Sequence, residues 1–279
     1  MIRLIAVDID GTLLDSRARL PDAHRDALVE ASARGIEVAL ATGRSFHFTQ
    51  HIADLLPIPL TLILNNGAVV KRRDGATEMQ HLLPRDVARA VLAATRAHED
   101  SVAIMFDRPI GSDARQMIYE RMDWSHQHRR GYYEKNKAFI GPSGMPLADT
   151  LTEDPIQVAF NGSVAPMRAL VASLRSLPIA HEFSIAVTEY ELRDFTLIDV
   201  NGAGCSKGST LARWAASRGL NRDEVMAVGD NLNDVEMLDF AGTAVVMGNA
   251  TDAIKARGYQ MTGTNDEGGL AEAIRRELA

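Results

Sequence analysis

Short runs of consecutive apolar residues, not alternating ones, mark the opening of the chain. Leu4-Ile5-Ala6-Val7, Ile36-Glu37-Val38-Ala39-Leu40-Ala41 and Thr61-Leu62-Ile63-Leu64 each have the pattern of a strand buried on both faces. After Pro21, the residues Ala27, Leu28 and Ala31 recur at helical spacing, and Gly35 closes that helix. Each strand stops at a polar cluster: Asp8-Ile9-Asp10-Gly11-Thr12, then Thr42-Gly43-Arg44-Ser45, then Asn65-Asn66-Gly67. Strands alternating with helices predict a parallel sheet with right-handed crossovers. The pattern resumes after Gly202-Ala203-Gly204. A helix is predicted over 207–217, a strand over 224–228 ending at Gly229-Asp230, a short helix over 235–240, a strand over 243–247 and a closing helix over 268–278.

The middle of the chain breaks this rhythm. A helix is predicted over 84–98, with Val87, Ala90, Val91 and Ala94 on one face, and another over 167–174. Strand-like pieces cover 101–106 and 156–161, and 181–188 with 192–200 suggest an antiparallel pair. Positions 107–153 are rich in charge, glycine and proline and yield no assignment. The expected architecture is α/β: a Rossmann-like doubly wound parallel sheet core, 1–83 with 201–279, split by an inserted α+β cap domain, 84–200.

Composition narrows the function. The chain has 279 residues, 46% hydrophobic and 24% charged, which fits a folded protein of one to two domains. A formal net charge of -7 disfavours non-specific nucleic-acid and anionic-membrane partners, so an anionic substrate needs a local device to attract it. The lone Cys205 excludes an intramolecular disulfide and a zinc site built of cysteines, and it is read as an inert core residue. No apolar run reaches the length of a membrane span, and Arg3, Asp8 and Asp10 spoil any signal-peptide pattern, so the expected location is the cytoplasm.

Ligands of open parallel sheets bind beyond the carboxyl ends of the strands. That edge is predicted to carry Asp8, Asp10, Thr42, Asn65, Asn66, Asp230, Asn233 and Asp234. Carboxylates gathered this closely repel one another and need neutralising. Neither Asp8 nor Asp230 has a basic neighbour in sequence, which points to a hard divalent cation, and oxygen-only ligands suit Mg2+. The plainer alternative is that each aspartate caps the helix after it.

These residues also resemble a known family. Asp8-Ile9-Asp10-Gly11-Thr12-Leu13-Leu14 resembles the D-x-D-G-T-L motif of the haloacid-dehalogenase-like superfamily. Thr42-Gly43-Arg44 resembles its second motif, Lys207-Gly208 its third, and Gly229-Asp230-Asn231-Leu232-Asn233-Asp234 with Met237-Leu238 its fourth, in the form typical of the Cof-type subfamily with a class IIB cap. The insertion falls between the second and third motifs, as that subfamily requires. The resemblance implies a Mg2+-dependent phosphatase that works through an aspartyl-phosphate. In it Asp8 is the nucleophile and Asp10 the general acid and base. Thr42 donates to a phosphoryl oxygen, and Lys207 offsets charge on the phosphate and Asp8. The implied metal ligands are the Asp8 carboxylate, the Asp10 backbone carbonyl and Asp230, with Asp234 nearby through water. The expected phosphate and substrate contacts are Gly11, Thr42, Gly43, Arg44, Asn66, Lys207 and Asn233.

Some of these residues have second explanations. Lys207 could be a solvated surface lysine, Asn233 a helix cap, Asn66-Gly67 a plain turn, and Arg44 the partner of a core carboxylate. Relatives often carry Glu eight residues before the motif-three lysine. Here Asp199 takes that place and a Gly-rich joint follows, which leaves the register of that motif open. In the insert, the stretch from Trp124 through His126, His128, Arg129 and Arg130 to Tyr133 is the most functional-looking segment, with Glu189, Glu191 and Arg193 as further candidates, although a solvated helix end with buried aromatics explains it as well. The expected partner is a small phosphorylated metabolite, a sugar phosphate or similar organic phosphate, acted on by a monomer or homodimer. A sugar phosphomutase, a phosphatase tied to one pathway and a catalytically idle binding protein are the alternatives.

Overall fold

A computed structural model describes residues 1–108, 115–125 and 127–279. The chain folds into two compact units, Met1–Gln80 with Ser206–Ala279, and His81–Cys205. The joints fall at 80/81 and 205/206, against the 83/84 and 200/201 read from the sequence. Residues before 84 go with the inserted unit because Leu83 N–H bonds to Pro155 O at 2.9 Å. Residues after 200 do so because their strand runs on to Gly202.

The first unit starts with β1 (Leu4–Val7), α1 (Asp22–Ala33), β2 (Glu37–Ala41), α2 (Phe46–Ala53), β3 (Thr61–Leu64), β4 (Val69–Arg72) and β5 (Thr77–Gln80). The second unit holds α3 (Arg85–Ala94), β6 (Val102–Met105), β7 (Met117–Tyr119), α4 (Gln127–Asn136), β8 (Ile140–Pro142), β9 (Gln157–Gly162), α5 (Val164–Arg175), β10 (Phe183–Tyr190) and β11 (Phe195–Gly202). The chain then returns to the first unit with α6 (Lys207–Ser217), β12 (Val225–Gly229), α7 (Val235–Phe240), β13 (Thr243–Val246), α8 (Asp252–Lys255), β14 (Gln260–Met261) and α9 (Gly269–Leu278).

The first sheet has the order β14-β13-β12-β1-β2-β3-β4-β5. The six strands from β14 to β3 are parallel, and β4 and β5 add an antiparallel edge. That edge hairpin is absent from the sequence expectation because Thr77–Gln80 is polar and mostly exposed, so it has no apolar signature. All four residues of β1 are buried because both faces are covered. Ile5 and Val7 face a core built with α1, α2 and α9, whereas Leu4 and Ala6 face one built with α6, α7 and α8. This two-sided cover is the doubly wound arrangement.

Local chemistry sets the element ends. Gly35 adopts φ +82° after α1, a left-handed stop that glycine adopts without penalty. The predicted 84–98 helix is instead α3 followed by a single 3-10 turn, Arg96–His98. Thr95 leaves the helical region at φ -113°, with its hydroxyl donated back to Val91 O at 2.8 Å. In the second unit the described strands form one sheet, β10-β11-β9-β6-β7-β8, backed by α3 and α5 over an apolar core containing Val91, Ile104, Phe160, Leu170 and Ile198. The expected 181–188 and 192–200 pair is present as the antiparallel hairpin β10/β11.

Candidate active site

Parallel pairing of β12, β1, β2 and β3 brings their carboxyl ends to one edge of the sheet. Val7 lies level with Val228 on one side and Leu40 on the other, so Asp8, Asp230 and Thr42 emerge side by side. Lys207 reaches the same place from the start of α6, where Ser206 and Ser209 cap each other's backbone N–H in a capping box.

Lys207 is fully buried and its Nζ lies 2.6 Å from Asp8 Oδ1 and 2.7 Å from Asp234 Oδ1. It is therefore not a surface lysine, and the contact fixes the register of the third motif. Asp199, the residue eight positions earlier, instead accepts Gln157 Nε2 at 2.6 Å within the inserted unit. The second oxygen of Asp234 accepts the backbone N–H groups of Asp230 and Asn231 at 3.0 and 2.9 Å. Asp234 thus closes the loop that carries Asp230 and also shares the ammonium. Thr12 Oγ1 donates to Asp230 Oδ1 at 2.9 Å. Gly11, at φ +90°, packs so closely on Asp230 that a Cβ there would overlap its carboxylate.

The oxygens of Asp8, Asp230 and Asp234 come within 4.8 Å of one another. Burial pushes the Asp8 carboxyl well above the usual range, with Asp234 adding to the rise and Lys207 opposing it. Burial and then Asp234 push Asp230 up to about 7, against the bonds from Thr12 and the charge of Lys207. Burial alone works to lower the Lys207 pKa, but Asp234 and Asp8 outweigh it and leave the net shift upward. Two buried carboxylates, Asp8 and Asp234, thus share one ammonium with the half-buried Asp230 beside them, and the excess negative charge has no further protein cation among the described residues at that cluster. An all-oxygen donor set with surplus negative charge fits a hard divalent ion such as Mg2+.

A test with a definite sign follows from Asp230. Its carboxyl holds a proton more tightly when folded, at about 7, than at the ordinary value of 3.8. The metal-free protein therefore carries this stability fully at acid pH and loses it as pH rises through about 7. Mg2+ is expected to raise the thermal midpoint more at about pH 8 than at about pH 5, because protons compete for the same oxygens at the lower pH. Thermal unfolding with Mg2+ and with a chelator at both pH values measures it. An equal Mg2+ shift at the two would contradict the assignment of Asp230 as a ligand.

Asp10 lies at the rim, and Arg44 grips it with a two-pronged contact, Nε to Oδ2 at 2.7 Å and Nη2 to Oδ1 at 2.6 Å. A fork on both oxygens is the geometry of an ionised carboxylate. The structure places the Arg44 guanidinium on Asp10. Thr42 is buried, and its Oγ1 accepts the Arg44 N–H at 3.1 Å, which leaves the hydroxyl hydrogen without an acceptor among the described residues. Asn233 does not cap its helix. Asn231 holds the N-cap position there, and Asn233 Nδ2 donates across the site to Asn66 Oδ1 at 2.9 Å. Asn65 and Asn66 both take positive φ, 50° and 54°, a strained pair for residues other than glycine. Gly43 lies beside Asn66, where a Cβ would stand 3.2 Å from Asn66 Nδ2.

The candidates in the inserted unit have partners within that unit. Arg129 is buried, with Nε on Asn161 Oδ1 at 2.5 Å, Nη2 on Asn161 O and Nη1 on Asp123 O at 3.1 Å. Burial pulls its pKa down. Trp124 packs between Tyr119 and Tyr133, with ring centroids 5.2 and 4.6 Å away, and the His128 ring lies 5.3 Å from that of Phe195. Glu189 and Glu191 both hold Arg168, at 2.6 Å each, and Arg193 lies over the Tyr190 ring. His126 lies outside the described residues.

Sequence reasoning assigned no role to Thr12, Asn249 or Asn265. Asn249 donates to Gly11 O at 2.8 Å, and Asn265 donates to Leu14 O at 2.8 Å. Asn249 had a usable signal, since it is a polar residue just beyond the carboxyl end of a buried parallel strand, β13.

A buried carboxylate, a buried lysine and a cluster of three acidic side chains at the carboxyl edge of a doubly wound sheet fit phosphoryl chemistry. Comparison with known proteins agrees in class: residues 5–274 match the family model of the haloacid dehalogenase-like hydrolases, and the chain belongs to that family. It is 29% identical over 276 residues to a 5-amino-6-(5-phospho-D-ribitylamino)uracil phosphatase of Bacillus subtilis (strain 168), covering 98% of this chain and 95% of the relative. It is 27% identical over 289 residues to a pyridoxal phosphate phosphatase of Escherichia coli (strain K12), covering 99% and 98%. The crystal structure of a haloacid dehalogenase-like hydrolase from Bacteroides thetaiotaomicron superposes with a TM-score of 0.79 at 25% identity, covering 99% of this chain and 100% of that one. Among the described residues no helix is long and apolar enough to cross a membrane.

Proposed function

We propose that this hydrolase is a Mg2+-dependent phosphatase of small phosphorylated metabolites, acting through a phosphoryl group held transiently on Asp8. The observation that carries this is Asp8 itself: a buried carboxylate 2.6 Å from Lys207 Nζ, inside a cluster with Asp230 and Asp234. Asp8 and Asp230 would hold the ion, with Asp234 close by. When bound, Mg2+ supplies charge that screens the nucleophile from an anionic phosphoryl group.

The chain's own residues account for the rest. An Asp8 oxygen bonds to phosphorus as the bond from phosphorus to the leaving alcohol breaks, and Asp10 gives that alcohol its proton. For that step Arg44 must release one Asp10 oxygen, which takes up a proton from solvent and then passes it to the alcohol. Water then attacks phosphorus, Asp10 takes the proton, and the bond to Asp8 breaks to give orthophosphate. The carboxylate form held by Arg44 is the form this second step uses. Lys207 keeps Asp8 aligned and balances charge on the transferred group. Thr42 has a hydroxyl hydrogen free for a phosphoryl oxygen.

None of this depends on the alcohol, so substrate choice falls to the inserted unit in this proposal. The relatives are named for unlike leaving groups, a ribitylaminouracil and a pyridoxal, which supports organic phosphate monoesters as the class. The test is a panel of phosphate monoesters, with Mg2+ and with a chelator, read as orthophosphate release. Mg2+-dependent release to water supports the proposal. Hydrolysis indifferent to the chelator, or transfer to a second sugar hydroxyl without release, overturns it.

A further inference from the structure

Three carbonyls of the loop after β1 are each met by a side chain from outside the four motifs. Gly11 O accepts Asn249 Nδ2 at 2.8 Å, Leu13 O faces His24 Nδ1 at 2.9 Å, and Leu14 O accepts Asn265 Nδ2 at 2.8 Å. The first and third supports are themselves linked, because Asn265 N–H donates to Asn249 Oδ1 at 3.0 Å. That bond leaves the Asn249 amide one orientation, with its NH2 toward Gly11. The neighbouring Asp266 takes Ser16 N–H at 2.8 Å.

The Gly11–Thr12 peptide has two jobs. A planar trans peptide points its C=O and N–H in opposite directions, so fixing Gly11 C=O fixes Thr12 N–H. Thr12 is fully buried, and its N–H meets no acceptor among the described residues. Such a donor is costly to leave unpaired, so it marks a place for an anion. The same peptide touches the acidic cluster. Gly11 packs against the Asp230 carboxylate, and Thr12 Oγ1 donates to Asp230 Oδ1. Glycine at φ +90° has no side chain to resist rotation of this peptide, so the restraint must come from elsewhere.

We propose that Asn249, oriented by Asn265, is a positioning residue that sets the Gly11–Thr12 peptide and with it both the anion-facing N–H and the Asp230 carboxylate. This rests on the phosphatase assignment above. It concerns two residues outside the set assigned above to substrate and ion.

The experiment compares N249D, N249A and N265A with the wild type in the full chain. Orthophosphate and Mg2+ binding are measured by calorimetry without substrate, and kcat and KM on whichever monoester of the panel the wild type hydrolyses. N249D keeps the shape but turns a donor into an acceptor facing Gly11 O. It is expected to weaken orthophosphate binding and lower kcat by about 10-fold or more, with a smaller rise in KM. N249A and N265A should move the same way by less, and thermal midpoints should stay near that of the wild type. If N249D does not fold, N249S, too short to reach Gly11 O, replaces it. Variants that bind orthophosphate and Mg2+ as the wild type does, with unchanged kcat, overturn the proposal. So does a kcat loss matched by a collapse of the thermal midpoint. A wild type with no phosphatase activity would refute the function proposed above, and the two binding measurements would still decide on Asn249.

Discussion

Asp8→Asn is expected to abolish turnover while the fold survives. The amide keeps the shape of the side chain but cannot form the bond to phosphorus. Loss of a covalent nucleophile removes most of the rate enhancement, so a fall of at least about 10^4-fold in kcat is expected. Stability should hold for a local reason. Lys207 keeps Asp234 as a partner at 2.7 Å, so the ammonium is not left buried and unpaired. Asp8 is also a carboxyl that burial and Asp234 push well above its ordinary range, and a neutral side chain there relieves that strain. Phosphate-release assays beside thermal unfolding measure both halves. Near-normal Mg2+-dependent hydrolysis by Asp8→Asn would end the covalent mechanism.

Lys207→Met makes the opposite trade. It removes the ammonium and leaves Asp8 and Asp234 facing each other in a buried place. Breaking a buried ion pair from one side costs about 3–5 kcal/mol, several times the effect of losing an exposed pair such as Arg25–Asp22. The loss should shrink at acid pH, where the Asp8 carboxyl, already pushed upward, takes up a proton in place of the lysine charge. Mg2+ should restore part of the stability and little of the activity, because the ion can balance the carboxylates but cannot take the lysine's position. Chemical denaturation with and without Mg2+, at acid and neutral pH, reads all of this. A variant as stable as the wild type at neutral pH without metal would show that the three carboxylates are not charged together.

The parallel core was legible because its strands are unbroken apolar runs and their polar ends fall at one edge of the sheet. That is why Asp8, Thr42, Asp230 and Asp234 could be named before any coordinates. Their partners were less so. Arg44 and Asp10 are 34 residues apart, Asn233 and Asn66 167, and Asn249 and Gly11 238, and only the strand order β13-β12-β1-β2-β3 brings those loops together. A sequence can list such residues but cannot show whether Arg44 faces substrate or a carboxylate. The inserted unit was half readable. Its long hairpin β10/β11 has clear apolar runs, whereas β7 and β8 are three residues each and α4 is highly polar, too little pattern to stand out. Arg129 stood out only as part of a charged stretch, because burial is invisible in sequence, and the structure shows it tying α4 to Asn161.

The most direct measurement is to trap the phosphoryl group where it is said to reside. Asp10→Asn should still let Asp8 accept phosphate, though slowly, and should stall its release, since no carboxylate remains to activate water. After incubation with Mg2+ and a reactive phosphate monoester, acid quenching and peptide mass spectrometry should find one phosphoryl group on Asp8. A protein that turns over the ester yet never carries phosphate on Asp8, or carries it on another residue, would contradict the account.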